Sequence, residues 1–330
     1  MMMKTLNRMR GAFLWTGALA LTGIVVGCQT NEPRAPVDRY VQGALAARSG
    51  DTQKAKLTLT RAVNDDPNLT MARLLLGDLH RADADYKDAQ SLYDQVTRLD
   101  PYGYRGFYSL GVTDQFLNDF KSAAAAYSRA IQLKPDHVES ATNLGTVYLT
   151  LGQSDDAVKQ MQKAIEIDPK NAAAWANYGI ALDTMGRFPE AERAYRTSLE
   201  LDSDAIATRL NLGTNLTRQN RPAEALVMLK QVVIDSDSFI ARKRLGDAYL
   251  LSKQYDLALV EYGKSVQLNG EYPPALNGVA DTQIALYQAG SEIDENARRQ
   301  AVGAWKKSLS FNAQQQKVKE QVEKWDTPRK

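Results

Sequence analysis

Glycine returns along this 330-residue chain at a nearly fixed interval, at Gly43, Gly77, Gly111, Gly145, Gly179, Gly213 and Gly246. Five of the six steps are 34 residues and one is 33. Two further ladders keep the same phase. One is Ala55, Ala89, Ala123, Ala157, Ala191, Ala225 and Ala258; the other is Pro33, Pro67, Pro101, Pro135 and Pro169. A fixed period of this length means one supersecondary unit, copied and stacked, whose copies cannot bury their apolar faces alone. Such an array presents extended surfaces, which suits binding better than catalysis.

The stretch from Val138 to Asn171 shows what one copy encodes. Ala141, Leu144, Gly145 and Tyr148 fall three or four residues apart, the spacing of one helix face. Gly152 ends that helix, and Ser154, Asp155 and Asp156 offer N-cap chemistry for a second one. Ala157, Met161, Ala164 and Ile165 form the inner stripe of the second helix. Asp168-Pro169 stops it, because proline cannot continue a helix and disfavours helical geometry in the residue before it. Glycine within the first helix costs about 1 kcal/mol relative to alanine. Its recurrence is expected to reflect close backbone approach where the two helices cross.

The copy Trp175, Tyr178, Gly179, Leu182, Gly186, Phe188, Ala191, Tyr195, Ser198 resembles the tetratricopeptide repeat in its order of large and small residues. The resemblance extends over about residues 36 to 315. It implies an all-α fold, a solenoid of about eight helix-turn-helix repeats wound into a right-handed superhelix with a concave groove. The expected layout is a signal peptide at 1–27, a short tether at 28–36, the solenoid at 37–315, and a C-terminal capping helix and tail at 316–330. Later copies depart from the pattern. The proline step becomes Ser203, Ser236, Gly270 and Ala313, and Ala280 takes the glycine's place in the eighth copy. That copy also carries an insertion near 289–299, where Ser291 and Asp294 suit a capping box. From Gln314 to Trp325 only Val318, Val322 and Trp325 are apolar, as a solenoid end with a polar outer side requires.

The first thirty residues read as an address. Lys4, Arg8 and Arg10 precede an uncharged apolar run, Gly11 to Val26, which has the form of an export signal. It leads into Val25-Val26-Gly27-Cys28, and Cys28 is the sole cysteine. This segment resembles a bacterial lipobox, which implies lipidation at Cys28 and a membrane anchor. Gln29 follows where an aspartate would retain the product at an inner membrane, so the periplasmic face of an outer membrane is expected where the organism has one. The other reading is an uncleaved anchor helix. Its 16 residues fall short of the roughly 20 that span a bilayer. Between Cys28 and the first helix about ten residues reach roughly 30 Å, which keeps the array near the membrane.

Charge and composition exclude several roles. The full chain carries a formal charge of +2, and removing residues 1–27 takes away three basic groups and no acids. The remaining near-neutral array lacks the basic footprint of general nucleic-acid binding. Neither His80 nor His137 has a partner at metal-ligand spacing, and no phosphate loop, HExxH or GxSxG occurs. His80 stands where Tyr148 and Tyr249 stand in other copies, and His137 follows a helix-ending proline. Asp83, Asp85, Asp88, Asp235 and Asp237 fall at helix ends as caps or dipole partners. No catalytic residue, cofactor or metal is expected.

The candidate site is the groove. Two residues before the repeat glycine stand Asn143, Asn177, Asn211 and then Arg244, with Ser109 ahead of them. The family resemblance places that position on the concave surface. Asparagine both donates and accepts, so successive copies can grip the backbone of an extended peptide. Arg244 with Lys243 is suited to a carboxylate. The arrangement resembles the asparagine ladder of peptide-binding superhelical arrays, although asparagine is also common there in repeats of other habits. Arg105 and Tyr108, in a cluster with Tyr102, Tyr104 and Phe107, are a second candidate lining, with packing against the preceding loop as the alternative. The run Glu292, Asp294, Glu295, Arg298, Arg299 reads as a solvated helix end or a partner contact. The expected function is an envelope scaffold that binds a protein or peptide partner, as architectural relatives do in secretin assembly or hydrolase docking. A self-associating homo-oligomer with an idle groove is the alternative.

Overall fold

The computed structural model describes residues 35–289 and 295–326, and all regular structure among them is helical. The helices come in pairs. They are α1 (Ala35–Arg48) with α2 (Thr52–Asp65), α3 (Thr70–Ala82) with α4 (Tyr86–Leu99), and α5 (Tyr104–Phe116) with α6 (Phe120–Leu133). They continue with α7 (Val138–Thr150) and α8 (Ser154–Ile167), α9 (Ala172–Thr184) and α10 (Phe188–Leu201), and α11 (Ile206–Arg218) and α12 (Pro222–Asp235). Last come α13 (Phe239–Leu251) and α14 (Tyr255–Leu268), α15 (Pro273–Ala289) and α16 (Glu295–Phe311), and the single helix α17 (Gln316–Trp325). The chain falls into two compact units that divide inside α7, between Asn143 and Leu144. In the first unit α1, α3 and α5 touch in sequence, so the first helices of successive pairs lie side by side. In the second unit α9, α11, α13 and α15 form the equivalent row.

Both recurring ladders have a physical cause. All seven alanines of the second helices are fully buried. Pro67, Pro101, Pro135 and Pro169 stand just past the helix C-caps Asp66, Asp100, Lys134 and Asp168, and Pro33 lies outside the described residues. Later copies end their second helices at Asp202, Ser236 and Asn269 without proline, because the cap N–H still closes onto a carbonyl four residues back.

The glycines do not serve backbone-to-backbone contact, as the sequence suggested. Each makes room for a side chain 16 residues later, on the second helix of its own copy. A Cβ on Gly179 would lie 2.6 Å from the ring of Tyr195, and one on Gly145 would lie 2.6 Å from the terminal methyl of Met161. The same column comprises Leu59, Tyr93, Tyr127, Met161, Tyr195, Leu229 and Tyr262, all essentially inaccessible to solvent. The glycine's propensity cost is thus offset by burial of a large side chain laid flat on its surface.

A third ladder closes the first helices. Gly50, Ala84, Asn118, Gly152, Gly186, Asn220 and Lys253 all adopt positive φ, between 59° and 83°. The next residue's N–H then bonds back five residues, as in Gln153 to the Tyr148 carbonyl at 2.8 Å, the signature of a Schellman cap. The second helix starts one residue earlier than Ser154 implied, since its N-cap is Gln153 and Asp155 and Asp156 occupy the first turn. Ala84 (φ 65°) holds the left-handed geometry against its own Cβ. Ala84→Gly is expected to raise stability by about 0.5–1 kcal/mol, read as a higher urea midpoint with unchanged slope.

The C-terminal end is sealed. Trp325 of α17 is 1% exposed, meets Tyr287 edge-on at 5.7 Å, and packs with Val318 and Val322 on the α15–α16 pair. Arg298 corrects the reading of its charge run as a solvated end. It is buried, bonds Glu295 at 2.7 Å, and donates to the Trp325 carbonyl, so it ties α17 down. Ser291 and Asp294, the expected capping box, lie outside the described residues.

Candidate functional site

In the second unit the row of first helices carries Asn177 on α9, Asn211 on α11 and Arg244 on α13, each two residues before its glycine. All three are half-buried. Asn177 donates from Nδ2 to Thr146 Oγ1 at 3.3 Å, which leaves its carbonyl oxygen for another partner. Asn211 makes no hydrogen bond to the other described residues. Arg244 and Lys243 differ sharply. The Lys243 ammonium is held by Asp247 at 2.8 Å, whereas the Arg244 guanidinium is only loosely near the same carboxylate, at 3.7 Å. Asp247 is itself fixed by the Tyr262 hydroxyl at 2.8 Å. Of the expected cationic pair, Arg244 is therefore the less tightly held, and Lys243 neutralises the acid beside it.

In the first unit Asn143 stands in the same register on α7, and its Nδ2 donates to the Tyr127 hydroxyl at 3.3 Å. Tyr108 packs edge-on against His137 with centroids 4.8 Å apart and leans on Tyr127 at 6.0 Å. Burial, followed by the nearby Glu139 charge, raises the Tyr108 pKa, so the phenol stays a neutral donor and acceptor. Arg105 is exposed one turn before it. His137 caps α7 by accepting from the Ser140 N–H at 3.2 Å, and burial lowers its pKa. His80 is half-buried and sits 3.3 Å from Asp85, with Lys56 bridging Asp83 and Asp85. These acids thus hold a Lys–His cluster as well as helix ends. Among the described residues, no group of three His, Cys, Asp or Glu side chains is placed to hold a metal.

Sequence reasoning missed the clamps that hold adjacent copies in register. Asn215 is fully buried and donates to Asp183 at 2.8 Å and to the Phe188 carbonyl at 3.1 Å. Glu192 collects Arg196 on its own helix and, across a copy boundary, Gln219 and Arg221, while Arg242, within its own copy, bridges Asp237 in the turn before α13 and the buried Glu261 on α14 at 2.8 and 2.7 Å. The only sequence signal was a polar residue two past the glycine where neighbouring copies carry Ala181 and Ala248.

These paired helices define a helical-repeat scaffold. Tetratricopeptide-repeat models match residues 40–104, 74–137, 117–176, 161–193, 178–232 and 210–275, and the chain belongs to that family. No curated protein matches it. Among solved structures, MamA is 25% identical with a TM-score of 0.50, and the match covers 52% of this chain and 93% of MamA. YrrB, described as a repeat protein with an unusual peptide-binding site, is 21% identical with a TM-score of 0.50 over 59% of this chain and 97% of its own. PilF of Pseudomonas aeruginosa is 17% identical with a TM-score of 0.54 over 66% and 95%. The last two likenesses show the fold alone.

Proposed function

We propose that this protein is an envelope scaffold that captures an extended peptide segment along the first-helix row of its second unit. The observation that carries the reading is one register on the first helices of three successive copies, occupied by Asn177, Asn211 and Arg244, with Arg244 loosely held at 3.7 Å from Asp247. The two amides match the alternating donors and acceptors of a peptide backbone, and the guanidinium matches a carboxylate side chain or terminus. In the first unit Asn143, bonded to the Tyr127 hydroxyl against which Tyr108 leans, and Arg105 one turn before Tyr108 offer contacts of the same kind. The peptide-binding site named for YrrB makes the mode familiar for this fold.

The decisive experiment is in-cell crosslinking and pull-down with the full chain, beside a variant carrying Asn177→Ala, Asn211→Ala and Arg244→Ala. Loss of partners from a variant that melts like the parent is the expected result. An unchanged partner set would place binding elsewhere on the array.

Membrane tethering through Cys28 completes the reading. Cys28 lies outside the described residues, and no described helix is long and apolar enough to cross a membrane. The Cys28→Ala chain is expected to leave the detergent phase on Triton X-114 partitioning. Its continued retention there after signal cleavage would refute the lipid anchor.

A further inference from the structure

Four side chains laid against the repeat glycines are tyrosines, Tyr93, Tyr127, Tyr195 and Tyr262. Three of their hydroxyls are satisfied inside the fold. Tyr93 donates to Asp78 at 2.6 Å, Tyr127 to Gln115 at 2.9 Å and Tyr262 to Asp247 at 2.8 Å. Tyr127 also accepts from Asn143, which lies 16 residues later on the first helix of the next copy. The Tyr195 hydroxyl bonds no other described residue, although its side chain is 1% exposed. The cause is local. The acceptor next to the glycine, Asp78 or Asp247 in other copies, is Ile180 here. Asp183, which stands where Gln115 serves Tyr127, gives one oxygen to Asn215 at 2.8 Å and the other to Arg218. Burial, then the Asp183 charge, raises the Tyr195 pKa against the opposing Arg218, so the phenol stays a neutral donor. Its oxygen is not sealed in. Among the described residues the fully enclosed side-chain oxygen without a partner is Asn277 Oδ1.

Asn211 stands 16 residues after Tyr195, as Asn143 stands after Tyr127, and α11 packs on α10. The repeat therefore sets the Asn211 amide beside the Tyr195 hydroxyl. In the first unit phenol and amide bond each other; here both stay open. A nearly buried donor without an acceptor is costly to a fold, so an open pair at one place points to a ligand atom. We infer that the Tyr195 hydroxyl and Asn211 Nδ2 both donate to one backbone carbonyl oxygen of the captured segment, one to each lone pair. Arg218, the cation acting on the hydroxyl, is already paired with Asp183, so the place suits a neutral acceptor rather than a carboxylate. Tyr195 thus joins the binding row from the second helix of its copy, through the opening that Gly179 provides. The inference rests on the peptide-capture reading and adds to it a residue and an atom to be recognised.

Random dodecamers displayed on phage and selected on the full chain in detergent supply the probe. A selected dodecamer whose binding needs Asn177 and Arg244 is measured against Tyr195→Phe, Asn211→Ala and the double variant. Each single change is expected to weaken binding about three- to tenfold, the worth of one neutral hydrogen bond. A thioamide scan along the dodecamer should find one unit whose replacement weakens binding to the parent severalfold and to the double variant hardly at all. The urea midpoint of Tyr195→Phe is expected at or above the parent's, whereas Tyr127→Phe, which loses two bonds, should unfold earlier. A lower midpoint for Tyr195→Phe would show the hydroxyl already bonded within the fold and overturn the inference. Unchanged affinity for both single variants, with Asn177 and Arg244 still required, would leave water in the gap and overturn this inference alone. Failure to select any dodecamer that needs Asn177 and Arg244 would overturn the capture reading, and this inference with it.

Discussion

Gly179→Ala is expected to destabilise the protein by about 1–3 kcal/mol, while Gly145→Ala is expected to be close to neutral. The added methyl at 179 would fall within 3.0 Å of three atoms of the Tyr195 ring, which is rigid and fully enclosed. Overpacking then outweighs the helix-propensity gain of about 1 kcal/mol. At 145 the closest atom is the end of Met161, a thioether with three rotatable bonds that can swing aside. The propensity gain and the smaller clash nearly cancel. Urea unfolding of both variants decides the matter. Equal losses at the two sites would show that the enclosed ring is not what makes the glycine necessary.

Asp114→Asn is expected to stabilise the protein by about 2–3 kcal/mol at pH 7 and to have no effect below pH 4. Asp114 is 2% exposed on α5, with a single donor, Gln90 Nε2, at 2.6 Å. Burial, opposed by that bond and helped by the charges of Asp119 and Asp94, pushes its pKa from 3.8 up to about 6. The sign follows from linkage. The folded state holds the proton more tightly than the unfolded chain, so the group favours folding only where it is protonated in both. That advantage is lost as pH rises from about 4 through 6, and above 6 the buried carboxylate opposes folding. Asparagine keeps the oxygen that accepts from Gln90 but cannot ionise. A stability difference between parent and variant that stays flat from pH 4 to 8 would contradict the burial of this carboxyl.

Much of this architecture was readable because sequence period and structural period coincide. Gly145, Ala157 and Pro169 each report a local constraint, so one copy read carefully gave the helix pair and its limits. The left-handed ladder escaped notice because Gly50, Ala84, Asn118 and Lys253 share a backbone geometry and no side-chain identity. Arg298 looked solvated because its partner carbonyl, on Trp325, comes 27 residues later in the chain. At the candidate site the register of Asn177, Asn211 and Arg244 was legible from spacing alone. What spacing could not show is that Asp247, held by the Tyr262 hydroxyl, takes Lys243 and leaves Arg244 the freer cation.

Each glycine is matched by a side chain 16 residues downstream in the same 34-residue segment, so the fit is inherited whole whenever that segment is duplicated. A new copy arrives with its largest interior contact already made, and only the polar clamps to its neighbours remain to be refined. Such a gene can lengthen or shorten by whole copies without passing through a cavity-ridden intermediate. The single 33-residue step and the longer eighth copy then mark places where divergence since duplication has altered the spacing itself.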